Sequence, residues 1–106
     1  MIKIVIKKHN DSIVSVEIKG HADSAEYGRD LVCAGVSSIT VGIANMLASK
    51  DFLEDGNTII IKPGYTYFEV YNSNDVIQLV LETLEVMLLT IAEDNSKYIQ
   101  ISKMEV

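Results

Sequence analysis

Two side chains in this sequence carry chemistry that neither could do alone. Cys33 is the only cysteine and His21 is one of two histidines in 106 residues. A thiolate is the reactive form of cysteine, and an imidazole beside it can hold the thiol's proton and deliver it to a leaving group. That is the working pair of a cysteine hydrolase. Eleven residues, 22–32, separate the two, enough chain to turn back and let the side chains meet. The blander alternative is a buried cysteine acting as a small hydrophobe. A metal site would draw only on His21, Cys33 and nearby Asp23, fewer ligands than a closed zinc site takes, so no metal is expected. The glycine spacing matches neither a phosphate loop nor a dinucleotide fingerprint, and no cofactor is expected. His9 falls in a turn and is assigned no role.

The elements around the pair follow from local pattern. Residues 13–19 alternate β-branched and charged side chains and predict a strand ending at Lys19. Gly20 ends it. Residues 22–29 have no apolar period and predict a surface loop, with Gly20 and Gly28 as hinge candidates because glycine tolerates large φ/ψ changes. A helix is predicted from Asp30 to Lys50. Asp30 is a good N-cap, and Val32, Val36, Ile39, Ile43 and Leu47 form one apolar stripe. With Asp30 as cap, Cys33 falls in the first turn, where free amides and the helix dipole favour a thiolate. A second stripe of small residues, Cys33, Ser37, Thr40, Ala44 and Ala48, predicts close approach of another element, as do Gly35 and Gly42.

The rest of the chain completes a β-β-α-β-β-α-β order. Residues 2–8 form a strand with Ile2, Ile4 and Ile6 on one face, and the 9–12 turn joins it to the next strand. Residues 58–62 and 65–71 form strands joined by a Pro63-Gly64 turn. Tyr65, Tyr67, Glu69 and Tyr71 share one face, either a binding wall or, more commonly, a sheet surface covered by a helix. A second helix spans 75–93, with Asp75 and Gln78 at capping-box spacing and a polar stripe of Gln78, Glu82, Glu85 and Glu93. Its apolar arc covers more than half its circumference, which predicts two buried contacts: its own sheet and a second copy of the chain. Residues 98–104 form the last strand. The expected fold class is α+β, a mostly antiparallel sheet with two helices packed on it, in one domain over residues 1–106.

Composition narrows the function. The net charge of −6 argues against direct nucleic-acid binding, which relies on neutralising phosphates. Lysines interrupt the N-terminal isoleucines too often for a signal peptide. The most apolar window, Val86 to Ala92, is far shorter than the ~20 residues that span a bilayer. A single cysteine makes no internal disulfide. These features predict a cytoplasmic protein with no membrane contact.

The residues of the Gly20–Ser38 stretch resemble a known signature. Gly20-His21-Ala22, then Gly28-Arg29-Asp30-Leu31-Val32-Cys33-Ala34, with Ser37 shortly after, look like the pattern of the ribosomal-processing cysteine protease family Prp, also called YsxB-like. The resemblance implies a homodimeric, metal-free endopeptidase that removes an N-terminal extension from the large-subunit ribosomal protein numbered twenty-seven. Carried onto this sequence, it makes Cys33 the nucleophile and His21 the acid and base. Asp30 and Ser37 match supporting positions, and the loop between is expected to move when substrate enters. First-turn amides would then receive the oxyanion. Tyr27, Leu31 and the tyrosine face are candidates to receive substrate aromatics. A non-enzymatic dimeric module that binds a ribosomal or other basic partner is the main alternative, and a small-molecule thioester hydrolase is a third reading.

Overall fold

The computed structural model describes residues 1–20 and 31–106 in full and residues 27–30 by their backbone. Seven elements follow the expected order: β1 Ile2–His9, β2 Ser12–Lys19, α1 Tyr27–Ser49, β3 Thr58–Lys62, β4 Tyr65–Glu69, α2 Asp75–Glu93 and β5 Ile99–Glu105.

The strands form one sheet in the order β3-β4-β2-β1-β5. β1 and β5 run parallel, and the other three pairings are antiparallel. Asn10 and Asp11 both have positive φ, as a tight β1–β2 hairpin requires. Strand alternation sends Ile2, Ile4, Ile6, Val16, Ile18 and Phe68 to one face, where they are buried with Val32, Val36 and Leu47 of α1 and Ile77, Leu81, Leu84 and Leu88 of α2. Both helices therefore cover the same face. Across the other face run rows of side chains such as Lys62, Tyr65, Lys19, Lys3 and Gln100, set by the strand registers.

Several details depart from expectation. The tyrosine row lies on the face away from the helices, because Phe68 takes the inward position between Tyr67 and Glu69. β4 ends at Glu69 instead of 71. Beyond it the buried Asn57 accepts hydrogen bonds from the Tyr71 and Asn72 amides at 2.7 and 2.9 Å. The cap of α2 is Asn74, whose side chain accepts from the Ile77 amide, so Asp75 and Gln78 form no capping box. Gln78 instead receives the Ile13 amide at 2.8 Å and donates to the Ile13 carbonyl at 3.0 Å, tying α2 to β2.

Glu85 leaves the predicted polar stripe for the interior. It pairs with Lys8 of β1 and Lys103 of β5 at 3.0 and 3.2 Å. Among the described residues one helical stretch, Leu31–Ser49 of α1, is long and apolar enough to be compared with a membrane span. By length and composition it suffices to cross a membrane, with a mean hydropathy of 1.8, but its apolar stripe is spent on this protein's core. Scattered serines and glycines hide this run from a reading that looks for unbroken apolar residues.

Candidate active site

α1 begins at Tyr27, three residues before the predicted cap. Asp30 is thus inside the helix, as its fourth residue, and not its N-cap. Gly28 belongs to the same first turn rather than to a loop. The physical reason is that aspartate is as compatible with the first turn of a helix as with its cap, since both lie at the positive dipole end. Cys33 becomes the seventh helical residue, counted from Tyr27. Its amide is past the four free donors of the helix start, so it is not an oxyanion donor in this arrangement.

What α1 does supply is a wall. Cys33 is half-buried and lines a cavity of about 190 Å³. Among the described residues, Cys33, Ser37, Thr40 and Val41 form its α1 side, and Ile2, Ile18 and Gly20 its floor. Ile61 and the Pro63-Gly64 turn close it from the other side. The small side chains at 33, 37 and 40 thus leave space open instead of admitting another element. Close approach occurs at Gly35, where an added Cβ would lie 2.8 Å from Ile91 Cδ1 of α2. Gly42 meets nothing within 4 Å, so packing does not explain it. Ser37 stands one turn after Cys33 on the same wall. Beside it, the Thr40 hydroxyl is spent within the helix, donating to the Val36 carbonyl at 2.6 Å.

Gly20 fixes how the chain leaves β2. Its φ is +109°, and a Cβ there would sit 2.4 Å from the Met1 carbonyl oxygen. Its amide donates to the Gly64 carbonyl at 2.9 Å. No side chain fits that conformation and that space, so glycine is required. His21, the next residue, lies outside the described residues, as does Asp23, and nothing is described of the Tyr27 or Asp30 side chains.

Of the proposed tyrosine wall, Tyr65 alone also lines the Cys33 cavity. Its phenol donates to Glu17 Oε2 at 2.9 Å, and that bond, with burial and the carboxylate charge, raises its pKa. Tyr71 donates to Glu69 at 2.8 Å with the same consequence. Tyr67 stacks beside Tyr65, their ring centroids 6.5 Å apart. Sequence reading missed Ile61 and Val41 as site residues. Each is an exposed hydrophobic, at 51% and 44%, in elements read only as scaffold. Among the described residues no three potential metal ligands cluster.

The family model described as cysteine protease Prp matches residues 1–100. The chain belongs to the cysteine protease Prp family. It is 39% identical to the ribosomal processing cysteine protease Prp of Bacillus subtilis over 100 residues, 89% of each chain. The structure superposes with a TM-score of 0.83 on the Prp protease of S. aureus in complex with a substrate peptide. That match is at 32% identity and covers 97% of this chain and 99% of that one. The S. aureus enzyme with a covalently linked product peptide matches with a TM-score of 0.80, at 33% identity and the same coverage. As a member of the Prp family, the chain is a cysteine protease with the α+β fold of its relatives.

Proposed function

We propose that this protein is a cytoplasmic, one-domain Prp endopeptidase that removes the N-terminal extension of the large-subunit ribosomal protein numbered twenty-seven. Cys33 is the nucleophile and His21 the general acid and base. The observation that supports this most is that Gly20, bonded to His21, lines the same cavity as Cys33. The residue that precedes His21 therefore belongs to the floor of the cavity whose α1 side holds the thiol.

The chemistry follows from those two groups. The Cys33 thiolate attacks the scissile carbonyl, forming a tetrahedral intermediate. Imidazolium His21 protonates the departing amine, leaving a thioester on Sγ. Neutral His21 then takes a proton from water as the water attacks that thioester, which releases the acid and restores the pair. A covalent peptide in the S. aureus relative is consistent with such a route. Asp30 and Ser37 are supporting residues. Ser37, which lines the cavity with Cys33, donates its hydroxyl to the oxyanion in this reading, a role the Cys33 amide does not fill. No metal or cofactor enters these steps. The acidic chain, at −6, favours encounter with a basic ribosomal substrate. A second copy covers the outer face of α2, where Val76, Leu79, Val86 and Leu89 are exposed.

The test uses the full ribosomal precursor. Cys33→Ala and Cys33→Ser are expected to lower the cleavage rate at least about a thousandfold. His21→Ala is expected to do likewise and to slow the alkylation of Cys33 by iodoacetamide at about pH 7. Cleavage by Cys33→Ala at the wild-type rate would overturn the proposal. In that case a partner-binding role without chemistry becomes the better reading.

A further inference from the structure

The edge of the sheet that borders the Cys33 cavity has the build of a peptide rail. β3 is one of the two edge strands, and among the described residues no strand pairs with its outer side. The two-residue Pro63-Gly64 turn makes Lys62 and Tyr65 a hydrogen-bonded pair, since the carbonyl of the first turn residue accepts the amide of the fourth. Hydrogen-bonded and non-hydrogen-bonded pairs alternate along an antiparallel ladder. Ile60, opposite Tyr67, is then bonded to β4, whereas Ile59 and Ile61, opposite Phe68 and Thr66, turn their N–H and C=O groups outward.

Free edges in soluble proteins are usually blunted by charge, proline or a bulge. This one reads Thr58-Ile59-Ile60-Ile61-Lys62, with a single charge at its end. The Ile61 side chain lies on the helix-facing side, half exposed, and lines the same cavity as Cys33. Val41 of α1, also exposed, faces that cavity from the opposite wall. An extended chain laid beside β3 would find a row of donors and acceptors on one side. Every second side chain would point into the space between Ile61 and Val41.

Building on the proteolytic reading above, we infer that the substrate polypeptide binds as an added strand on the outer edge of β3, with alternate side chains packing between Ile61 and Val41 before the chain reaches Cys33. The occupant is an extended, apolar-containing segment of the substrate. Strand addition of this kind draws affinity from main-chain hydrogen bonds and selectivity from alternate side chains. The 23-residue helix and the edge strand would then act as the two jaws of one groove.

The test separates binding from cleavage. A fluorescent synthetic peptide matching the precursor's extension is made as a series, each member N-methylated at one backbone amide. Binding is read by anisotropy on the Cys33→Ala variant, and KM and kcat on the wild type. Every second methyl group is expected to weaken binding about tenfold, and the intervening ones less than about threefold. Ile61→Thr, which keeps β-branching, is expected to raise KM about fivefold or more. Ile60→Thr, which changes the opposite face, should leave it unchanged.

Ile60→Thr, on the opposite face, should also leave unchanged the rate at which iodoacetamide alkylates Cys33. A period-two pattern in binding without any cleavage would keep the rail and overturn the protease. A peptide that is cleaved but shows equal sensitivity at every amide, or none, would overturn the rail and keep the protease. A peptide that fails to bind would overturn the rail.

Discussion

Glu85 shows how a single charge is held inside this fold. Burial by itself pushes its carboxyl toward the neutral form, but Lys8 and Lys103 outweigh that effect and hold its pKa below the ordinary 4.5. Lys8 lies 3.0 Å from Oε1, and Lys103 approaches Oε2 at 3.2 Å without hydrogen-bond geometry. Because the folded pKa lies below the unfolded one, the ionised carboxylate contributes stability in full above about pH 4.5. That contribution is lost as pH falls through the folded value. Glu85→Gln is expected to unfold about 1–2 kcal/mol more easily in urea at pH 7, since the lysines are half-exposed and re-solvate. Its deficit against the wild type should shrink as pH falls below about 4.5. A deficit that stays constant with pH would mean that shape, not charge, is what Glu85 provides. None of this is legible locally: Glu85 sits in a helical polar stripe, and its partners come from strands 77 residues before it and 18 after. The thiol and its position in a helix were legible, because Cys33 and the apolar stripe beside it are local signals.

Two glycines of α1 look alike in sequence and differ in packing. At Gly35 an added methyl meets the end of the Ile91 side chain at 2.8 Å, a close approach of α1 to α2. At Gly42 it meets nothing. Alanine gains about 1 kcal/mol of helix propensity over glycine at either site. Gly42→Ala should therefore raise stability by about 0.5–1 kcal/mol, read as a higher Tm. Gly35→Ala must displace Ile91 and is expected to be neutral or destabilising by up to about 1 kcal/mol, since overpacking offsets the gain. Equal Tm gains in the two variants would refute the close contact. Element order, the β1–β2 hairpin and the Pro63-Gly64 turn were readable because alternation and turn chemistry are encoded within a few residues. The start of α1 was not, because Asp30 fits a cap and a first turn equally. The strand order was not either: no local period records that β1 lies between β2 and β5.

The molecule as a whole has one layer of sheet, one of helices and an outer helix surface that is not uniformly polar. Val76, Leu79, Val86 and Leu89 of α2 are exposed at spacings of 3, 7 and 3 and recur on one side of the helix. They span about 20 Å of helix axis at 1.5 Å per residue, a length that suits crossing with another helix. Thr83, exposed between them, donates its hydroxyl to the Leu79 carbonyl and so presents little polar demand outward. Glu82 falls on the same side between Leu79 and Val86, and Glu93 follows one turn after Leu89, so the seam is apolar with two acidic side chains along it. Such a seam would be costly to leave in water, at about 25 cal/mol for each Å² of apolar surface. Covering it with the α2 of a second copy is the simplest closed arrangement, because one patch then serves both partners. Leu79→Lys and Val86→Lys together should abolish that contact by placing two like charges on each side. Light scattering at micromolar concentration is expected to give twice the chain mass for the wild type and the single mass for the double variant. Far-UV circular dichroism should be unchanged, since neither side chain enters the core. A wild-type chain that scatters as a monomer would leave the α2 surface without a partner and remove the dimer from the proposal, while the Cys33 chemistry would stand.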